Sequence, residues 1–149
     1  MKESAFKGII AIAAAAMGAY FRALIFPLVV LTVVMTADYI SGMTRAWIKG
    51  ELSSRVGVIG IVKKLCYMFG VAVAIVADWV VQTAAAEMGL DLEAVYVFGL
   101  LVIIWLVLNE CISILENISE IGVPIPAFLI AVVQKLKKTT EAKGDEVTK

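Results

Sequence analysis

Asn109, Glu110, Ser113, Glu116, Asn117 and Glu120 place three carboxylates, two amides and a hydroxyl at the end of a segment otherwise built from Val, Leu, Ile and Trp. At about 100° per helical residue all six fall in one arc of roughly 120°. An acid inside a membrane-length apolar segment costs about 2.5 kcal/mol or more near the helix centre, so its default reading is functional or partner-facing. One polar stripe on a greasy helix suits a bundle, a pore wall or a water-filled seam. Glu116, Asn117 and Glu120 can also be explained by headgroup depth, where charge is cheap. Asn109 and Glu110, one to two turns deeper, are not explained that way. Asp78, with Gln82 one turn on, repeats the theme in an earlier apolar segment. It either hydrogen-bonds a neighbouring helix or lines a conducting path. Catalysis is not expected. The chain has no histidine, so Ser53, Ser54 and Ser113 have no base to activate them. Cys66 and Cys111 lack metal-type spacing and read as reduced core packing. No metal, cofactor or nucleic-acid partner is implied.

The elements that must carry these residues follow from composition. The 149 residues are 62% hydrophobic with mean hydropathy +0.97, against about 45–50% apolar in soluble domains. The expected class is an all-α integral membrane protein. No cleavable signal is evident at the start. Residues 8–21 form an uncharged, alanine-rich run of about 21 Å as a helix, short of a hydrocarbon core of about 30 Å. Residues 1–22 therefore read as an N-terminal interfacial helix. Spans follow over 23–44, 65–86 and 94–115 within a core of 23–126, then a basic helix and tail over 127–149 that loses structure after about Lys138. If 8–21 crosses as well, there are four spans with a reversal at Arg22. Gly50 can end the first span, Ser53 or Ser54 can cap the next helix, and Gly122 with Pro124 and Pro126 closes the third.

Charge sets orientation. Segment 45–64 holds Arg45, Lys49, Arg55, Lys63 and Lys64 against Glu51, and the tail from 134 holds Lys135, Lys137, Lys138, Lys143 and Lys149. The connection 87–93 has Glu87, Asp91 and Glu93 and no base. By the positive-inside rule both basic segments face the cytoplasm, where their cations meet anionic headgroups at about 1 kcal/mol each. Gly57 and Gly60 then sit in an interfacial turn, since no phosphate-loop motif accompanies them. Gly70 and Ala74 run into Asp78 at four-residue spacing, a small-residue seam for contacts between protomers.

Several of these segments together resemble the phage lysis and toxin-secretion holins of Gram-positive phages and clostridial toxin loci. The likeness rests on Asp38-Tyr39-Ile40-Ser41-Gly42, Leu52-Ser53-Ser54 with Gly57, Gly60, Lys63 and Lys64, Asn109-Glu110 through Ser113-Ile114 to Glu116-Asn117, and Gly122-x-Pro124-x-Pro126. Ser41 stands where that family would carry threonine and keeps the hydroxyl. The first 20 or so residues are not covered. The resemblance implies a protein that accumulates in the bacterial cytoplasmic membrane and then oligomerises with itself at a set time. Its lesions pass an endolysin or a toxin and collapse the proton gradient. An antiholin, which binds and inhibits a holin partner, uses the same helices and is the alternative, as is a small oligomeric ion channel or transporter. On this reading Asp78, Gln82, Asn109 and Glu110 form the switchable surface.

Overall fold

In a computed structural model the described residues are 2–90 and 96–147, with side chains described throughout from Leu24 onward. They form four helices and no strand: α1 (Lys2–Ile48), α2 (Ser54–Glu87), α3 (Val97–Glu120) and α4 (Ala127–Val147). Three stretches, Leu24–Ile48, Ser54–Glu87 and Val97–Glu120, are long and apolar enough to cross a membrane, as the composition requires.

Helix ends follow local chemistry. α1 stops where Gly50 takes φ +71°, letting Glu51 N–H reach the Ala46 carbonyl at 2.8 Å and Gly50 N–H the Trp47 carbonyl at 3.1 Å. Ser53 then opens α2 in extended conformation, its Oγ accepting from Val56 N–H at 3.3 Å. α3 ends on Gly122 at φ +102°, and Pro124 and Pro126 cannot extend it. Within α1 the hydroxyls of Thr32, Thr36 and Thr44 each donate to the carbonyl four residues back at 2.8 Å. These threonines thereby expose no unmet donor to lipid.

Three boundaries differ from the sequence expectation. α1 is unbroken from Lys2 to Ile48, so the separate helix expected before residue 23 is continuous with the first span. A single Arg22 among alanines and leucines is a good helix residue and provides no turn; the reversal needed for four spans is absent. α2 begins at Ser54 rather than Leu65, because Arg55, Lys63 and Lys64 are charged but helix-compatible. α4 continues to Val147, past the expected loss of structure at Lys138. The expected start of the third span at residue 94 lies outside the described residues, and helix is described from Val97.

α3 is the hub: it packs most extensively on α1 and also on α2 and α4, whereas α1 and α2 touch least. The core comprises Leu24, Leu31 and Met35 of α1, Val71 of α2, and Ile103 and Leu106 of α3. Positions 24, 31 and 35 recur on one α1 face. The outer surface is apolar, with Phe26 75%, Phe69 71% and Trp79 65% exposed, an arrangement suited to lipid rather than water. Cys66 lies on that exposed surface and Cys111 is half-buried, both free; core packing is therefore not the role of Cys66. α4 runs back along α3, where Trp105 Nε1–H donates to Glu141 Oε1 at 2.8 Å and Lys137 Nζ sits 5.3 Å from the Trp105 ring centre.

Candidate functional site: a polar clasp across three helices

One turn beyond Met35 the inward face of α1 turns polar, presenting Asp38 and then Ser41. α2 brings Lys64 to the same point and α3 brings Glu110 and Asn117. Lys64 Nζ donates to Asp38 Oδ2 at 2.8 Å and to the Glu110 carboxylate. Asn117 uses its Nδ2 hydrogens on Asp38 Oδ1 at 3.2 Å and Ser41 Oγ at 3.1 Å. The Ser41 hydroxyl in turn donates to the Asp38 carbonyl at 3.0 Å. Glu110 is 3% and Asn117 6% exposed. One ammonium thus ties two carboxylates and, through Asp38, an amide, so that α1, α2 and α3 are fixed in a single register. Replacing such a network by apolar groups can be neutral, but removing one member strands a buried charge.

α1 meets α2 closely beside the clasp. A Cβ on Gly60 would lie 3.4 Å from Cδ2 and Cε2 of the Tyr39 ring, and one on Gly57 would lie 3.4 Å from the Tyr39 hydroxyl. Gly57 and Gly60 are therefore not an interfacial turn: they are helical and form the seat of Tyr39. Gly60→Ala should be tolerated, whereas Gly60→Leu should cost about 1–3 kcal/mol by overpacking. The detergent unfolding midpoints of the two variants check this.

Asp78 works at the opposite end of the bundle. The α3 N-cap, Tyr96, has no side-chain bond to the first turn. The Asp78 carboxylate replaces it from α2, accepting from Phe98 N–H at 3.0 Å and Gly99 N–H at 2.7 Å. At 2% exposure it is an interhelical cap, the first of its two sequence readings. A carboxylate at a helix N-terminus meets free N–H groups and the positive end of the dipole.

The stripe on α3 divides by angle. Glu110 and Asn117 face inward, Asn109 and Ser113 are half-buried, and Glu116 and Glu120 are exposed. Glu120 pairs with Lys49 and lies 3.5 Å from Arg45 Nη1. Headgroup depth thus fits Glu116 and Glu120 but not buried Asn117. Gln82 is half-buried, Ala74 is buried, and Gly70 is exposed with open space around a Cβ. Gly70 and Ala74 therefore do not form a seam within the chain. Among the cations read as headgroup contacts, Lys64 turns inward to the clasp instead. Arg55, Lys63, Lys135 and Lys138 are exposed, and Lys137 is half-buried against Trp105. Asp38 and Ser41 join the site beyond the residues expected from sequence, although an acid one turn past a core methionine and followed at i+3 by serine is a readable signal. Among the described residues no group of three or more potential ligands could hold a metal ion.

Bilayer-length helices with lipid-compatible outer faces and polar groups paired inside define a multi-pass helical membrane protein. The chain belongs to the bacteriophage holin family, which it matches over residues 15–138. It is 33% identical over 144 residues to an uncharacterised protein of Halalkalibacterium halodurans, covering 97% of this chain and 98% of the relative. An uncharacterised protein of Clostridium perfringens is 32% identical over 123 residues, 83% of this chain and 84% of its own. A probable holin of Bacillus phage phi105 is 30% identical over 109 residues, 73% of each chain. No solved structure matches the chain. The family match bears out the resemblance drawn from residues 38–126.

Proposed function

We propose that this protein is a holin that accumulates in the bacterial cytoplasmic membrane, oligomerises, and opens lesions that release an endolysin or toxin and collapse the proton gradient. Membership of the holin family and likeness to the phi105 probable holin support the class. The mechanism is carried by one observation: Asp38, Lys64, Glu110 and Asn117 satisfy one another within a single chain. A closed protomer therefore shows lipid an apolar surface, while a water-filled lesion needs polar walls. Separating α1, α2 and α3 exchanges these partners for water and supplies such walls, with Gln82, Asn109 and Ser113 alongside. Triggering is then a choice between two packings a few kcal/mol apart, biased by self-association. Exposed Phe69 and Val73 beside Gly70 offer α2 a face for a second copy.

The charge distribution supports an orientation with the clasp end in the cytoplasm and the acidic 87–93 connection outside. Arg45 and Lys49 then lie near anionic headgroups, and the three-span chain starts outside. The test is induction of this protein alone in a bacterium making a signal-less cytosolic endolysin. Abrupt lysis after a delay, with endolysin release and loss of membrane potential together, is expected. Leakage without endolysin release would instead mark a narrow channel. Silence alone, with delayed lysis beside a known holin, would mark an antiholin.

A further inference from the structure

Where α1 and α2 diverge, two hollows share a wall. At the clasp end a cleft of about 110 Å³ is lined by Arg45, Lys63 and Gly42 among others, and by Tyr39 and Lys64. Tyr39 and Lys64 also line the second hollow, a groove of about 370 Å³ that continues along the spans past Met35, Thr36, Leu65 and Met68. Its threonines point their hydroxyl hydrogens at backbone carbonyls, leaving a largely apolar trough open on one side.

The cleft has unused donors. Arg45 Nη1 faces Glu120 at 3.5 Å, but Arg45 Nε is buried without a hydrogen-bond partner among the described residues. A buried N–H of this kind is unfavourable until an acceptor reaches it. Lys63 is exposed and lies 5.6 Å from the Tyr67 ring centre. Lys64 is already committed to Asp38 and Glu110, and Asp38, which also lines the cleft, is tied to that ammonium. What remains is a guanidinium edge and an ammonium at the end of α1 and the start of α2, joined to an apolar trough that runs into the spans.

We infer that cleft and groove together hold one anionic phospholipid of the cytoplasmic leaflet, its phosphate at Arg45 and Lys63 and one acyl chain between α1 and α2. A phosphodiester matches the fork of an arginine and accepts from Nε once the Arg45 side chain turns toward the cleft. The acyl chain fills an interhelical space that the short α1–α2 contact leaves unpacked. The lipid acts as a wedge that completes the closed bundle beside the clasp. This site rests on the orientation proposed above but not on lysis.

Native mass spectrometry of the full-length protein, released from mixed phosphatidylglycerol and phosphatidylcholine, tests it. One retained phosphatidylglycerol per chain is expected, preferred about tenfold over phosphatidylcholine. Arg45→Gln with Lys63→Gln should remove the preference, and Lys135→Gln with Lys138→Gln should keep it. Phosphatidylglycerol with a photoactivatable acyl chain should label 32–39 and 61–68 in the unmutated protein, a readout independent of how the variants fold. No headgroup preference, a preference surviving the Arg45 and Lys63 changes, or labelling confined to 73–80 would overturn the site. Displacement of the lipid by inorganic phosphate would overturn it in favour of a free-anion site. Normal lysis with no retained lipid would sink this inference alone; retained lipid without lysis would sink only the hole-forming reading.

Discussion

Lys64→Met is expected to be the most damaging single substitution in the spans. It leaves Asp38 and Glu110 turned toward the same buried point with no ammonium between them. Removing one partner of a buried ionic network typically costs about 3–5 kcal/mol, most of it from the stranded charge. That is a large share of the stability of a domain this size. The unfolding midpoint in detergent should fall sharply, and any protein that accumulates should lyse its host early, since the closed packing has lost its tie. The combination Lys64→Met, Asp38→Asn and Glu110→Gln removes the stranded charge and should recover most of the midpoint. A single variant as stable as the parent, or a triple variant no better than the single, would show that the three groups are not one unit.

Asp78→Ala should come second. It strips the acceptor from Phe98 N–H and Gly99 N–H, and unsatisfied buried donors cost about 1–3 kcal/mol each. Loss of negative charge at the helix N-terminus adds to this. We expect about 2–4 kcal/mol in total, with Asp78→Asn, which keeps one acceptor oxygen, losing about half. The damage should be local: amide exchange at Phe98 and Gly99 should accelerate well before exchange at Leu106 or Glu110. Uniform acceleration along α3 would mean that Asp78 supports the bundle in some other way.

Both residues show what a single sequence carries and what it hides. The three spans were legible because length and apolarity are properties of each segment alone. The stops were legible too, since Gly50, Ser53 and Gly122 act on their own backbone. The polar stripe could be placed on one face of α3 by angle. Which edge of that arc points inward could not be, because it depends on how α3 is rotated against α1. Lys64 looked like a headgroup cation for the same reason: its partners lie 26 and 46 residues away in sequence. Asp38 was visible as an acid in a span but had no partner in its own helix to mark it. From sequence Asp78 reads as interhelical or channel-lining, and its partners at the α3 N-terminus, about 20 residues on, show only in the fold. The unbroken α1 and the long α4 are failures of a different kind. A charge by itself does not end a helix, and Arg22 and Lys138 are ordinary helical residues.

On the proposed mechanism, lesions open by parting α1 from α3 at the clasp. Gly42 and Asn117 face each other across that interface, a Cβ on Gly42 lying 3.5 Å from Asn117 Nδ2. A Gly42→Cys, Asn117→Cys pair in a Cys66→Ala, Cys111→Ala background can be oxidised in cells making the cytosolic endolysin. With the bridge formed, the cells should keep growing with full membrane potential, and a membrane-permeant reductant should bring abrupt lysis within minutes. Each single-cysteine variant should lyse with or without oxidant. Endolysin release on the normal schedule from fully bridged protein would rule out this opening, because the hole would then have formed with the clasp helices still joined.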